Sequence, residues 1–126
     1  MLLGTDHAPV CDTTQKPAYR AGAATRLELV ALVNAGLTPY EALATGTVNV
    51  AKYFETLAET GTVEVGKRAD LVLLNSNPLQ TFDGLVRPAG VMLGGRWLSR
   101  ADLDALARSF GVTMNEDGSW TCAMAP

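Results

Sequence analysis

Residues 61–79 read GTVEVGKRADLVLLNSNPL, and this stretch decides the fold. Val63 and Val65 alternate with polar residues, Gly66-Lys67 offers a turn, and Leu71 to Leu74 form a continuous apolar run. The pattern predicts a β-hairpin with one half-buried strand and one fully buried strand. NSNPL, with its Asn and Pro, reads as the loop that leaves it. The charges Lys67, Arg68 and Asp70 read as turn residues, Asp70 hydrogen-bonding to nearby backbone.

Downstream, GVMLGGRWLS (90–99) offers a second hairpin turning at Gly94-Gly95. Trp97 lies in its alternating strand and reads as a packing residue, as does Trp120. Ser99 with Asp102 three residues later predicts a capped helix over 99–110. Leu103, Leu106, Ala107 and Phe110 would share one of its faces. The tail suggests a short strand pair turning at Asp117-Gly118.

Upstream the pattern is helical. AATRLELVALVNAGL (23–37) spaces Leu27, Val30, Val33 and Leu37 three and four apart, an amphipathic helix. Thr25 and Glu28 fit a capping box, and Gly36 suits a left-handed C-terminal cap. LTPYEALATGTVNVAKYF (37–54) predicts two short helices. Thr38 is the N-cap of the first, with Pro39 at N1 and Glu41 at N3, and Thr47 caps the second, which runs through Phe54. VCDTTQKPAYRAG (10–22) reads as a loop. Before it, MLLGTDHAP (1–9) reads as an apolar strand ending on Asp6 and His7. A lone first strand would be an unpaired edge. The expectation is therefore that partners come from a missing N-terminal portion or from other copies.

Composition excludes several classes. Hydrophobic residues make up 48% of the 126 and charged residues 18%, a globular balance. A formal net charge of −3 gives no basic footprint for nucleic acid or an anionic membrane. No apolar run approaches the ~20 residues that span a bilayer, and no signal peptide is evident, so the expected location is cytoplasmic. Cys11 and Cys122 belong to no metal-binding pattern and read as free thiols. The chain has one histidine, whereas a self-contained zinc enzyme usually uses two or three.

On its motif alone, Asp6 reads most simply as an Asx-turn or N-cap acid after Thr5. Taken together, however, several blocks resemble the amidohydrolase superfamily, in its imidazolonepropionase-like and prolidase-like branch. LLGTD (2–6) resembles the end of the eighth strand of that family's (β/α)8 barrel. LTPYEALATGTVNVAKYF resembles the helical TPxEAL…AT…NPA segment that follows, with Val50 where the family usually has proline. GTVEVGKRADLVLLNSNPL resembles the signature that returns the chain to a small β-sandwich, and GVMLGGRWLSRADLDAL (90–106) continues it.

The resemblance implies an α/β fold: the last strand and helices of a TIM-like barrel over 1–58, then the C-terminal half of a composite β-sandwich over 59–126. Taken alone, the chain would be α+β. It implies zinc or another divalent metal in the intact enzyme, lowering the pKa of a bound water to about 7. The substrate would be a small amide or related C–N compound.

Asp6 matches the family's catalytic acid, which both binds metal and moves the proton, at the barrel end where catalytic groups gather. His7 has two readings, a substrate contact or an ordinary surface or packing histidine. If the segment is extended, the two side chains point to opposite faces. The family's other ligands match nothing here, so the chain alone is expected to be inactive and to hold no metal. Two alternatives stay open: a non-catalytic module that binds itself or a partner, and the same metal site acting on lactones or phosphotriesters.

Overall fold

In the computed structural model, which describes residues 1–4, 23–114 and 120–122, the helical half is organised around sharply punctuated ends. Helix α1 (Ala23–Asn34) closes with a Schellman arrangement. The Gly36 N–H donates to the Val33 carbonyl at 3.0 Å and the Leu37 N–H to that of Leu32 at 3.1 Å. Gly36 takes the required positive φ of 108°. Helix α2 (Pro39–Thr45) starts with the full capping box of Thr38 and Glu41 and with proline at its first position. Helix α3 spans Val48–Tyr53.

Helix α1 differs from expectation in two ways. Thr25 lies inside α1 and is not its cap. The buried face is also rotated: Leu29 is buried whereas Leu27 is exposed. The segment LELVALV carries apolar residues on more than one side, so spacing alone does not single out the inward stripe. The core consists of Leu29, Ala42 and Phe82, packed by Leu3, Val30, Leu32, Val33, Leu43 and Leu85. Phe82 precedes a 3₁₀ turn at Asp83–Leu85, and Arg26 of α1 forms an ion pair with Asp83 across this junction.

The second half contains a three-stranded antiparallel sheet in the order β1 (Leu71–Leu73), β2 (Gly90–Leu93), β3 (Arg96–Ser99). Its β2–β3 hairpin turns at Gly94-Gly95 as expected, both residues having positive φ. The hairpin predicted around Gly66-Lys67 does not form. Instead β1 pairs with β2, Leu71 opposite Met92 and Leu73 opposite Gly90.

The cause is local. The Lys67 N–H donates to the Glu64 carbonyl at 3.3 Å, and the Arg68 N–H donates to the Glu59 carbonyl at 2.8 Å. The first bond closes the turn on itself and the second ties it to Glu59, so neither belongs to a ladder. The run Leu71 to Leu74 is not fully buried either: Val72 and Leu73 are each 54% exposed. β1 is an edge strand, and the packed helix α4 lies against β2 and β3.

Helix α4 (Arg100–Ser109) carries the predicted Ser99–Asp102 capping box. Leu106 and Phe110 are exposed, so its expected apolar face is only partly covered. β4 (Val112–Met114) and β5 (Trp120–Cys122) pair antiparallel, as the tail suggested. The turn expected at Asp117-Gly118 lies outside the described residues. Residues 1–4 form no β-ladder among the described residues, so the predicted first strand has no sheet partner there. The described architecture is mixed α/β.

Candidate functional site

Asp6, His7 and Cys11, singled out by sequence, lie outside the described residues. What the structure shows is the seat of the segment that leads to them. The Leu3 N–H donates to the Thr45 carbonyl at 3.0 Å. Its side chain packs on the core and against Gly46, where an added Cβ would sit 3.0 Å from Leu3 Cδ2. The Asn49 side-chain amide donates to the Met1 carbonyl at 3.3 Å.

This seat follows from how α2 ends. The last carbonyls of a helix lack intrahelical partners, and here the Thr45 carbonyl meets Leu3. Thr45 itself is buried, its Oγ1 donating to the Ala42 carbonyl at 2.6 Å. Thr47 Oγ1 donates to the Leu43 carbonyl at 2.9 Å, so it does not cap α3 as expected. Both hydroxyls bond back into α2 and leave the corner's backbone to receive the N-terminal segment. Sequence reading gave Thr45 and Asn49 no role. The only signal was their place in ATGTVNVA, the block that carries the family resemblance.

The carboxylates with shifted pKa all move the same way. Hydrogen bonds from Thr38 hold Glu41 below its ordinary range, and the Thr62 hydroxyl followed by Lys67 does so for Glu64. Asp70 is lowered chiefly by the Gly94 N–H and then by Arg68; Asp83 by Thr81 and then Arg26; Asp102 by Ser99. A general base for neutral pH needs a pKa raised toward neutrality. These five groups are pushed the other way, because each accepts a hydrogen bond that secures a cap, turn or junction.

Lys67, Arg68 and Asp70 thus act in the fold, as expected, but with different partners. The Asp70 carboxylate accepts from the Gly94 N–H at 2.6 Å and from Arg68 Nε at 2.5 Å. Lys67 Nζ donates to Thr62 Oγ1 and to Glu64 Oε1, the latter at 3.2 Å.

A cavity of about 660 Å³ lies beside this turn, lined by Val48, Leu57, Thr62, Glu64, Val65 and Lys67 among others. It does not include residues 1–4. A second, of about 180 Å³, lies between α1 and the 3₁₀ turn. Among the described residues no three His, Cys, Asp or Glu side chains come together as a metal would require. The described residues by themselves therefore do not fit a divalent cation. No described helix is long and apolar enough to cross a membrane.

Comparison with known proteins completes the picture. The imidazolonepropionase of Symbiobacterium thermophilum is 40% identical over 76 residues, 60% of this chain but 16% of its own length. The solved structure of molinate hydrolase superposes with a TM-score of 0.69 at 26% identity, over 82% of this chain and 24% of that one. A Xaa-Pro dipeptidase with bound methionine superposes with a TM-score of 0.58 at 25% identity, over 64% and 20%. The chain therefore spans less than a quarter of the length of these relatives. The model of the amidohydrolase family matches residues 1–98. On that match and these likenesses, the chain belongs to the amidohydrolase family, in its imidazolonepropionase-like and prolidase-like branch.

Proposed function

We propose that this chain is the C-terminal portion of a metal-dependent amidohydrolase that cleaves an amide or related C–N bond with metal-activated water. The observation that carries the reading is the family match over residues 1–98, in a chain covering only 16–24% of the length of relatives matched. Residues 1–58 are assigned to the end of the barrel and 59–126 to a composite β-sandwich. Asp6 is assigned to the metal site as the carboxylate that takes the proton of the bound water and delivers it to the leaving group, and His7 to substrate contact. The partner is a small amide-type substrate, met only once the rest of the ligand set is supplied.

The test is an assay of the purified 126-residue chain with zinc or manganese against amide and lactone substrates. No turnover and no stoichiometric zinc are expected. Turnover in the ordinary enzyme range of ~1–10³ s⁻¹ would show that the chain is complete as a catalyst and sink the reading.

A second reading is favoured by the apolar surface. Val63 is 82% exposed and Val65 fully exposed, and Tyr40, Tyr53 and Phe54 each show about two-thirds of their surface. Tyr53 and Phe54 meet edge to face with ring centroids 5.0 Å apart, and exposed apolar surface of this kind is what a second copy of the chain would cover. Light scattering separates the readings. A concentration-dependent dimer that unfolds as one species supports self-association, and a stable monomer counts against it.

A further inference from the structure

We propose that the cavity beside the Gly66-Lys67 turn binds a small neutral carboxamide, its aliphatic body on Val48, Leu57 and Val65 and its amide on Lys67 and Glu64. The proposal does not rest on the function proposed above. The cavity, of about 660 Å³, has the size of a small-molecule site, ~300–1,000 Å³. Its lining is also of that kind, apolar side chains with a few converging polar groups.

The backbone sets the walls. Gly61, with φ of 90°, lies so close to α3 that an added Cβ would stand 2.5 Å from the Ala51 Cβ. The Arg68 N–H on the Glu59 carbonyl, at 2.8 Å, fastens the far end of the loop. Between these points Thr62, Glu64 and Lys67 form a closed triangle. Lys67 Nζ donates to Thr62 Oγ1 and, at 3.2 Å, to Glu64 Oε1. Thr62 Oγ1 donates to the same Glu64 oxygen at 2.6 Å. The Lys67 side chain is only 12% exposed, which is uncommon for lysine.

The triangle leaves one hydrogen-bonding group of each kind. An ammonium has three N–H donors, and two find acceptors among the described residues. Glu64 bonds through Oε1, and its Oε2 accepts from none of the described residues. A spare donor beside a spare acceptor complements a carboxamide, whose C=O accepts and whose N–H donates. Charge selects the neutral ligand. An anion drawn to Lys67 would meet Glu64, a cation drawn to Glu64 would meet Lys67, and like charges brought together are costly.

Isovaleramide, isovalerate and isopentylamine share one branched body and differ in the head group. Each is titrated into the ¹⁵N-labelled whole chain at neutral pH. Isovaleramide should give saturable shifts at the Leu57, Thr62, Gly66 and Lys67 amides, with a Kd on the order of 1 mM, while Leu32 in α1 stays unmoved. The acid and the amine should bind about tenfold more weakly or worse. Glu64→Gln keeps an acceptor for Thr62 and Lys67 but leaves Lys67 without a counter-charge. In that variant isovalerate should bind more tightly than isovaleramide. Shifts that stay linear to about 50 mM isovaleramide, or equal affinity for the three head groups, overturn the proposal. An unchanged order of affinities in Glu64→Gln overturns the part assigned to the Lys67–Glu64 pair.

Discussion

Asp70 holds the tip of a hairpin 24 residues further along: its Oδ1 accepts the Gly94 N–H at 2.6 Å. The Gly95 N–H donates in turn to the Ala69 carbonyl at 3.0 Å, so the residues before β1 fasten the whole β2–β3 turn. Asp70→Ala should therefore lower the melting temperature and raise exchange at the Gly94 amide by tenfold or more. Asp70→Asn keeps an acceptor for Gly94 but loses the charge facing Arg68, and should fall between. Equal Gly94 protection in all three proteins would show that the turn holds without the carboxylate.

The same geometry sets the pH response. Glu41, Glu64, Asp70, Asp83 and Asp102 all have folded-state pKa values below their ordinary ones. A group depressed by folding contributes stability that is complete above its unfolded pKa, near ~4, and is lost as pH falls through the folded value. Urea midpoints should stay flat from about pH 7 to about pH 5 and drop below about pH 4. A decline that begins above about pH 5.5 would point to a different titrating group.

Gly90 is buried where the Trp97 ring crosses it, and a Cβ there would stand 2.2 Å from Cζ2. The indole lies on a neighbouring strand, diagonal to the glycine in the register, and Leu98 backbone closes the other side at 2.9 Å. Gly90→Ala should cost about 1–3 kcal/mol by overpacking, with a shift in tryptophan emission. Restored stability in the double variant Gly90→Ala, Trp97→Leu would trace the loss to this contact.

The caps differ in a way that mutation can read. Thr38 and Ser99 each accept from the backbone N–H three residues on, at 3.2 and 3.3 Å, and each has its N3 carboxylate bonded back. Thr47 stands at the start of α3 without a side-chain cap bond. Thr38→Ala and Ser99→Ala should each cost about 1 kcal/mol, and Thr47→Ala less than about 0.5 kcal/mol. Denaturant titration of the three variants decides, and a Thr47→Ala loss equal to the others would contradict the distinction.

What the sequence disclosed follows from this contrast. Signals written within a few residues came through: the Thr38–Glu41 and Ser99–Asp102 boxes, the Gly36 cap and the Gly94-Gly95 turn. Signals that depend on distant partners did not. Val63 and Val65 alternate as a strand should, yet β1 takes β2 as its neighbour, because pairing is decided by what Gly94 and Gly95 offer to Ala69 and Asp70. Leu29 displaced Leu27 from the core because Phe82, more than fifty residues away, sets which side of α1 is covered. The seat formed by Thr45 and Asn49 was equally hidden, since a carbonyl and a helix-borne amide have no local pattern that announces a long-range partner.

Glu55 gives the last prediction, and its sign is opposite to most. It follows the C-terminus of α3 with φ of 58°, the one non-glycine positive φ among the described residues. The Thr56 N–H donates to the Ala51 carbonyl at 2.8 Å and the Glu55 N–H to that of Lys52 at 3.2 Å, a Schellman closure like that of α1. In α1 the left-handed position is filled by Gly36; here a side chain with a Cβ occupies it at a cost of roughly 1 kcal/mol. Glu55→Gly should therefore stabilise the chain by about 0.5 kcal/mol, the relief of strain being partly offset by glycine's greater freedom when unfolded. Glu55→Val, β-branched and poorly suited to positive φ, should destabilise it instead. Denaturation midpoints that order the variants Gly, Glu, Val from most to least stable would establish backbone strain as the cause. A Glu55→Gly midpoint below that of the parent would show that the side chain contributes more than its conformation costs.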